Sequence, residues 1–134
     1  MDSRGRVSVP ARLKSALDYN RVHSLVFIVY ENRLRGYTPK DFSERVEGPL
    51  LADDAFDPYQ DEKQLLRLGS ATELDIDTQG RFVIPFELRE MAGLADKLVM
   101  ISMADRLEIW DQKRFTAAWE TARQRRDTLG GVGG

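Results

Sequence analysis

The amino-acid sequence predicts a β-rich α+β fold in which two tandem copies of one unit share a single pseudo-twofold domain. Residues 2–14 (DSRGRVSVPARLK) align with residues 77–89 (DTQGRFVIPFELR) at an offset of 75 positions. Residues 25–47 align with residues 98–120 at an offset of 73, with eight identities in 23 positions. A unit of roughly 45 residues with few strands cannot close a core alone. We therefore expect each copy to supply half of a shared barrel.

Each copy begins with a short strand and a short helix. The strand follows a glycine, and it ends at Pro10 in copy one and at Pro85 in copy two, where the helix opens. In copy two, Leu88 and Met91 are expected to form the apolar stripe of this helix, and Gly93 is expected to cap its end.

Two apolar runs then predict a β-hairpin in each copy. In copy one the strands are expected at residues 25–30 and 34–37, and in copy two at residues 98–103 and 107–110. Residues 25–29 are apolar on both faces, so they need cover on both sides of the sheet.

A helix is expected to close each copy, with Thr38 as the N-cap in copy one and Asp111 in copy two. Four apolar residues of these helices are expected to face inward: Phe42, Val46, Phe115 and Trp119. The connector is expected to hold one more helix, from the cap Asp57 to Gly69.

The predicted organisation has four parts. Residues 1–47 form the first module, residues 48–70 the helical connector, residues 71–120 the second module, and residues 121–134 a helix end with a glycine-rich tail. The tail is expected to be disordered, because its glycines cannot pack.

The composition excludes most catalytic chemistry. The chain has 134 residues with no cysteine and a single histidine, His23, which leaves little for a thiol nucleophile, a zinc site or a Ser-His-Asp triad. We expect no enzyme activity, no cofactor and no metal. No apolar run approaches the roughly 18 residues that a membrane span needs, so a cytoplasmic protein without a membrane partner is expected.

Positive charge is concentrated at the start of the chain, although the net charge is −2. Residues 1–40 carry eight basic and three acidic side chains, and the whole chain has 15 arginines against 5 lysines. A planar guanidinium suits bidentate contact with phosphate or guanine. Composition alone favours surface ion pairs, with contact to phosphate or guanine as the alternative.

Both copies contain the motif Asp-x-x-Gly-Arg-x-x-(Val/Ile)-Pro. The glycine permits a positive φ, and the aspartate, four residues before the arginine, can accept from turn amides or from the guanidinium. Seen once, the pattern is typical of a structural turn. Seen twice, it places Arg6 and Arg81 on a pseudo-symmetric surface, which matches the pseudo-twofold symmetry of a DNA duplex.

The paired motifs, the helical connector and the segment LGSATELDIDTQGRFVIPFELREMAGL resemble the MraZ family of bacterial transcriptional regulators over residues 2–119. The resemblance implies a swapped-hairpin β-barrel of the SpoVT-AbrB type and a homo-oligomeric ring. It implies a nucleoid-associated repressor that binds short direct repeats of double-stranded DNA in the promoter of the division and cell-wall genes. Its Asp-x-x-x-Arg motif contacts DNA, which assigns binding to Arg6, Arg81, Arg4, Asp2 and Asp77.

Copy one departs from the family pattern at its start. Family members have about ten residues, forming a strand, ahead of the first motif, and copy two keeps its equivalent at residues 71–76. In copy one Asp2 directly follows Met1. Either translation starts further upstream, or the sequence is truncated, or copy one lacks that strand and exposes an unpaired sheet edge.

Two alternatives stay open. The cluster Arg123, Arg125 and Arg126 fits either a second phosphate contact or a helix end whose dipole it complements. The alternative function is a protein-interaction module like the antitoxins of the same superfamily. Those have one motif copy and a long acidic tail, whereas this chain has two copies and a short glycine tail.

Overall fold

Two antiparallel sheets flanked by helices make up the computed structural model, which describes residues 1–52 and 59–129. The strands are β1 (Arg6–Ser8), β2 (Ser24–Val29), β3 (Leu34–Tyr37), β4 (Thr72–Asp75), β5 (Arg81–Val83), β6 (Leu98–Ser102) and β7 (Leu107–Asp111). The small sheet pairs β1 with β5, and the large sheet has the order β4-β2-β3-β7-β6. The predicted α+β class is confirmed.

The helices follow the predicted order, except that the connector contains two helices within its described residues where one was predicted. The helices are α1 (Ala11–Tyr19), α2 (Pro39–Asp41), a π-helical segment (Phe42–Glu47), α3 (Gly48–Ala52), α4 (Gln60–Arg67), α5 (Phe86–Ala92) and α6 (Gln112–Leu129). The predicted connector cap Asp57 and the glycine-rich residues 130–134 lie outside the described residues. None of the helices within the described ranges is both long enough and apolar enough to cross a membrane.

The strand pairing follows the internal repeat. In the small sheet Val7 lies opposite Phe82, and in the large sheet Arg35 lies opposite Glu108. Each pair joins matching positions of the two copies, at the offsets of 75 and 73 seen in the sequence. A pseudo-twofold axis therefore passes between β1 and β5 in the small sheet and between β3 and β7 in the large sheet. Both copies contribute strands to both sheets.

Two apolar clusters cover the opposite faces of β2, as its two-sided pattern predicts. Leu25 and Phe27 point into a cluster shared by both copies, where the rings of Phe27 and Phe82 stack with centroids 5.3 Å apart. Val26 and Ile28 point into a second cluster under the segment that follows β3. The first cluster joins the small sheet to the large one and is shared by both copies, whereas the buried residues of the second come from copy one and the connector.

The closed barrel is not confirmed. Within residues 1–52 and 59–129 the strands form two separate sheets, and no strand pairs with the outer edge of β6. β4 precedes the motif of copy two and pairs with β2 of copy one. The symmetric pairing would place a strand ahead of the motif of copy one beside the outer edge of β6.

Two apolar side chains that were predicted to face inward are exposed. Met91 is 51% exposed, because the i, i+4 pair Leu88 and Ala92 forms the buried face of the short helix α5. Trp119 is 61% exposed and stacks on the half-buried Phe115, with centroids 6.0 Å apart. The inward face of α6 is therefore limited to its first turn.

The side chains of the two predicted N-caps, Thr38 and Asp111, accept hydrogen bonds from different parts of the chain. Thr38 is confirmed, since its hydroxyl oxygen accepts from the Asp41 amide at 3.1 Å. Asp111 is the last residue of β7, and its carboxylate accepts from the amide of Ala95 at 3.1 Å. In copy two this side chain therefore ties the hairpin to the loop after α5.

Candidate nucleic-acid interface

The motif of copy one forms a tight turn that fixes the direction of Arg6. Asp2 Oδ1 accepts from the backbone amides of Arg4 and Arg6, each at 2.9 Å. Asp2 Oδ2 accepts from Arg6 Nε at 2.7 Å. Gly5 has a φ of 83°, which lets the chain enter β1 directly after the turn. The guanidinium is thus held from its Nε side, and its outer edge is left for a ligand.

The motif of copy two has the same geometry. Asp77 Oδ1 accepts from the amides of Gln79 and Arg81 at 2.9 and 2.8 Å, and Asp77 Oδ2 lies 3.4 Å from Arg81 Nε. Gly80 has a φ of 81°. The copies differ at two turn positions, where Ser3 and Arg4 of copy one match Thr78 and Gln79 of copy two. We call the two structures the Asp-x-x-x-Arg turns.

Both aspartates are held in the ionised form. The hydrogen bond from the Arg6 amide, followed by that from the Arg6 guanidinium, lowers the pKa of Asp2 to about 2. The pKa of Asp77 is also lowered, first by the amide of Arg81. Each turn therefore keeps its acceptor throughout the physiological pH range.

The small sheet brings the two arginines onto one surface. Val7 and Phe82 point into the core, so Arg6 and Arg81 point outward, with side chains 52% and 50% exposed. Arg81 pairs with Ser8, which makes the arginines diagonal neighbours with Cα atoms about 7–8 Å apart. Both line one groove of about 240 Å³. The structure thus assembles the predicted site from both copies.

Each turn is also anchored to the other copy through its glycine. The amide of Ile84 donates to the carbonyl of Gly5, and the amide of Val9 donates to the carbonyl of Gly80, both at 2.9 Å. These bonds continue the β1–β5 ladder at its two ends. The turns therefore have a fixed separation.

Two basic residues beneath the turns had no role in the sequence-based prediction. Arg89 Nε donates to the carbonyl of Ile84 at 3.1 Å, next to Gly5. The side chain of Lys14 packs against Gly80. Lys14 and Arg89 occupy matching positions of the repeat, and that shared basic character was the signal available in the sequence. Each turn thus rests on a cation from the helix of the opposite copy.

The arginine cluster of α6 lies apart from this groove. Arg123 forms ion pairs with Glu120 and, at 3.7 Å, with Asp127, and Arg125 and Arg126 are exposed. Such pairs along one helix favour a helix-surface role over a second phosphate contact. In the described part of the chain, no group of three or more acidic or histidine side chains could hold a metal ion.

Comparison with known proteins identifies similar sequences across both copies. Residues 68–128 match the family model of the MraZ protein, which its description calls antitoxin-like. A protein of Rhizobium johnstonii named transcriptional regulator MraZ is 31% identical, over 97% of this chain and 90% of that protein. Proteins of the same name from Parvibaculum lavamentivorans (33% identical, 93% and 79% covered) and Coxiella burnetii (32%, 92% and 80%) are also similar.

Proposed function

Because this chain belongs to the MraZ family, we propose that it is a sequence-specific, DNA-binding transcriptional regulator and not an enzyme. The relatives are named as transcriptional regulators, and we extend that role to this chain. We place the DNA contact on the outward face of the small sheet.

The observation that carries this proposal is the pair of outward guanidiniums on a two-stranded ribbon. A two-stranded β-ribbon fits the major groove of B-DNA, which is about 12 Å wide. An arginine held by a carboxylate at Nε can still offer its outer N–H groups to guanine O6 and N7. Arg6 and Arg81 are both held in this way, by Asp2 and Asp77.

Arg4 has a different role in the proposal. Its amide is bound by Asp2, and the residue is exposed at the tip of the turn. At the matching position copy two has the neutral Gln79. We assign Arg4 to the phosphate backbone, where it would add affinity that depends on salt and not on sequence.

One ribbon offers few side chains that reach base edges, whereas specific sites typically exceed non-specific DNA by about 4–10 kcal/mol. We therefore propose that several subunits, arranged as a homo-oligomeric ring, bind short direct repeats in a promoter. The target would be the promoter of the division and cell-wall gene cluster, with the protein acting as a repressor at the nucleoid.

We also propose that the swapped-hairpin barrel closes when a strand occupies the outer edge of β6. Within the described residues β4 fills the symmetric edge of β2 through four residue pairs, from Ser24 with Asp75 to Phe27 with Thr72. A strand beside β6 would make the large sheet symmetric about the Arg35–Glu108 pair.

A protein-interaction module is the second candidate function. The antitoxin-like description of the matching family model favours it. In that case the small sheet would serve protein pairing, and Arg6 and Arg81 would be exposed without touching DNA. The two candidates differ in whether DNA binding depends on sequence.

A gel-shift titration on the promoter upstream of the chain's own gene tests the proposal. We expect the native promoter fragment to be retarded at protein concentrations that leave a fragment with shuffled repeats free. Equal retardation of both fragments would contradict sequence specificity. Absence of any shift at low salt would contradict DNA binding and favour the interaction module.

A further inference from the structure

A second group of arginines lies on the face of the large sheet opposite the small sheet. Arg35 of β3, Arg45 of the π-helical segment and Arg67 of α4 line a cavity of about 230 Å³. Tyr30 and Tyr37 line it too, and none of the described lining residues is acidic. The first apolar cluster and the sheet itself separate this cavity from the Asp-x-x-x-Arg turns.

Two of these guanidiniums are already fixed by aromatic stacking. The Arg35 guanidinium lies 3.6 Å from the centroid of the Tyr30 ring, and its Nε donates to Glu108 Oε2 at 2.9 Å. The Arg67 guanidinium stands 4.8 Å from the same ring. Because folding already restricts these arginine side chains, a ligand would lose little binding free energy to ordering them.

Among the described residues, five arginines at and beside this cavity face four carboxylates, since Arg33 also pairs with Glu31, Arg45 with Asp41 and Arg106 with Asp105. Glu108, only 1% exposed, is shared by the Nε atoms of Arg33, Arg35 and Arg106 at 3.1, 2.9 and 2.8 Å. Within residues 1–52 and 59–129, Arg67 forms no ion pair. Arg45 is exposed and pairs with Asp41 at 3.6 Å, whereas Arg35 and Arg67 are partly buried. A partly buried cation favours the binding of an anion, because burial without one is costly.

We propose that this cavity binds a small anion carrying a phosphate or diphosphate group. Phosphate oxygens match the planar forks of arginine, which bind them through paired hydrogen bonds. The hydroxyl of Tyr37 can add a donor, since burial raises the pKa of this group and keeps it protonated. The volume is below the roughly 300 Å³ of sites for larger ligands, which favours phosphate or pyrophosphate over a whole nucleotide.

The bound anion would join three segments that are distant in sequence. Arg35 belongs to the first hairpin, Arg45 to the segment after it, and Arg67 to the connector helix before the second module. Binding would hold α4 against the sheet, so the backbone amides of α4 would exchange more slowly. This ligand site goes beyond the proposed DNA contact and is independent of it.

NMR of the arginine Nε–Hε groups tests the proposal on the full chain. Inorganic phosphate and then pyrophosphate are titrated at constant ionic strength and pH, with sodium chloride as the reference. We expect the signals of Arg35 and Arg67 to shift and saturate, and those of Arg6 and Arg81 to stay constant. A lower dissociation constant for pyrophosphate would assign the site to diphosphate groups, and a lower one for phosphate would assign it to monophosphates.

Matched variants locate the binding. Arg67→Gln removes one lining guanidinium and is expected to weaken binding by about tenfold or more. Arg123→Gln removes the same charge from the exposed face of α6 and is expected to leave the affinity unchanged. Backbone amide spectra of both variants confirm the fold.

Three results would overturn the proposal. The first is a lack of saturation by either anion, and the second is equal affinity in the parent and in Arg67→Gln. The third is a stronger response to DNA than to free phosphate, measured with a short duplex of shuffled sequence. If the duplex moves the Arg35 and Arg67 signals more than free phosphate does at equal phosphate concentration, the cavity belongs to a DNA surface.

Discussion

Arg35 and Glu108 face each other at the centre of the large sheet, with Nε and Oε2 2.9 Å apart. Arg35 of copy one aligns with Glu108 of copy two in the internal repeat. Two identical subunits would place two like charges there, which is destabilising across a strand pair. Joining both copies in one chain lets this position carry an arginine in one copy and a glutamate in the other.

Glu108→Gln should strongly destabilise the fold. Burial alone would raise the pKa of Glu108, but the hydrogen bonds from Arg106 and Trp110 and the nearby Arg33 and Arg35 lower it, so the group is a carboxylate. Its removal leaves three guanidiniums without their shared partner. We expect urea unfolding to show a loss of about 3–5 kcal/mol in the free energy of unfolding.

The matched control is Glu120→Gln, which removes a carboxylate from an exposed ion pair on α6. It should leave the free energy of unfolding nearly unchanged, because exposed ion pairs contribute little. Similar losses for the two variants would show that the Glu108 cluster is no more important than a surface pair.

Substitution of the turn glycines should have unequal effects. Both have φ near 80°, so alanine costs about 1–2 kcal/mol at either position. A Cβ at Gly5 would also lie 2.5 Å from the backbone oxygen of Ile84, whereas at Gly80 it would lie 2.9 Å from the flexible Lys14 side chain. We expect Gly5→Ala to lower the thermal midpoint more than Gly80→Ala, with Ser3→Ala as the neutral control. The reverse order would mean that the Ile84 contact does not constrain the turn.

Acid titration should show that the Asp2 carboxylate stays ionised far below its usual range. Because its folded pKa is lowered to about 2 from an unfolded value near 3.9, the turn keeps its hydrogen bonds above about pH 4. They are lost as the pH falls through the folded pKa. We expect the side-chain carboxyl ¹³C signal of Asp2 to titrate near 2, together with the amide of Arg6. A midpoint near 3.9 would mean that the turn is not closed in solution.

A strand supplied to the free edge of β6 should stabilise the protein. The sequence of residues 71–76 directly precedes Asp77, so a copy of it fused ahead of Asp2 would have the matching connection. Pairing with β6 should raise the thermal midpoint, by about 3–5 °C for each kcal/mol gained. The control is a fusion of equal length made of glycine and serine. Equal midpoints for the two fusions would contradict the proposed closure at this edge.

The internal repeat made most of the fold predictable from the sequence. Matching blocks fixed the order of strands and helices, and the doubled motif identified Arg6 and Arg81 as neighbours on one surface. Exposure was harder to predict, because the inward face of α6 ends with its first turn and Trp119 therefore lies outside the core. The Glu108 cluster was missed because its arginines come from both copies, and only the β3–β7 register brings them together.

We propose that Arg6 and Arg81 read DNA sequence from turns that fold without them. Alanine at either position keeps the backbone amide that the aspartate binds, so the thermal midpoint should hardly change. The lost contact with a base is worth about 1–3 kcal/mol of discrimination. The double variant Arg123→Ala, Arg125→Ala removes two positive charges from α6, whereas each single variant removes one. It should leave the preference for the native DNA sequence unchanged.

The most direct measurement is the ratio of dissociation constants for the native promoter repeats and a shuffled duplex, taken at one salt concentration. For Arg6→Ala and for Arg81→Ala we expect this ratio to fall by about tenfold or more, while the α6 double variant keeps the parent ratio. If Arg81→Ala selects the native repeats as well as the parent does, or fails to fold, then the Asp-x-x-x-Arg turn is a structural clamp and not a reader of sequence.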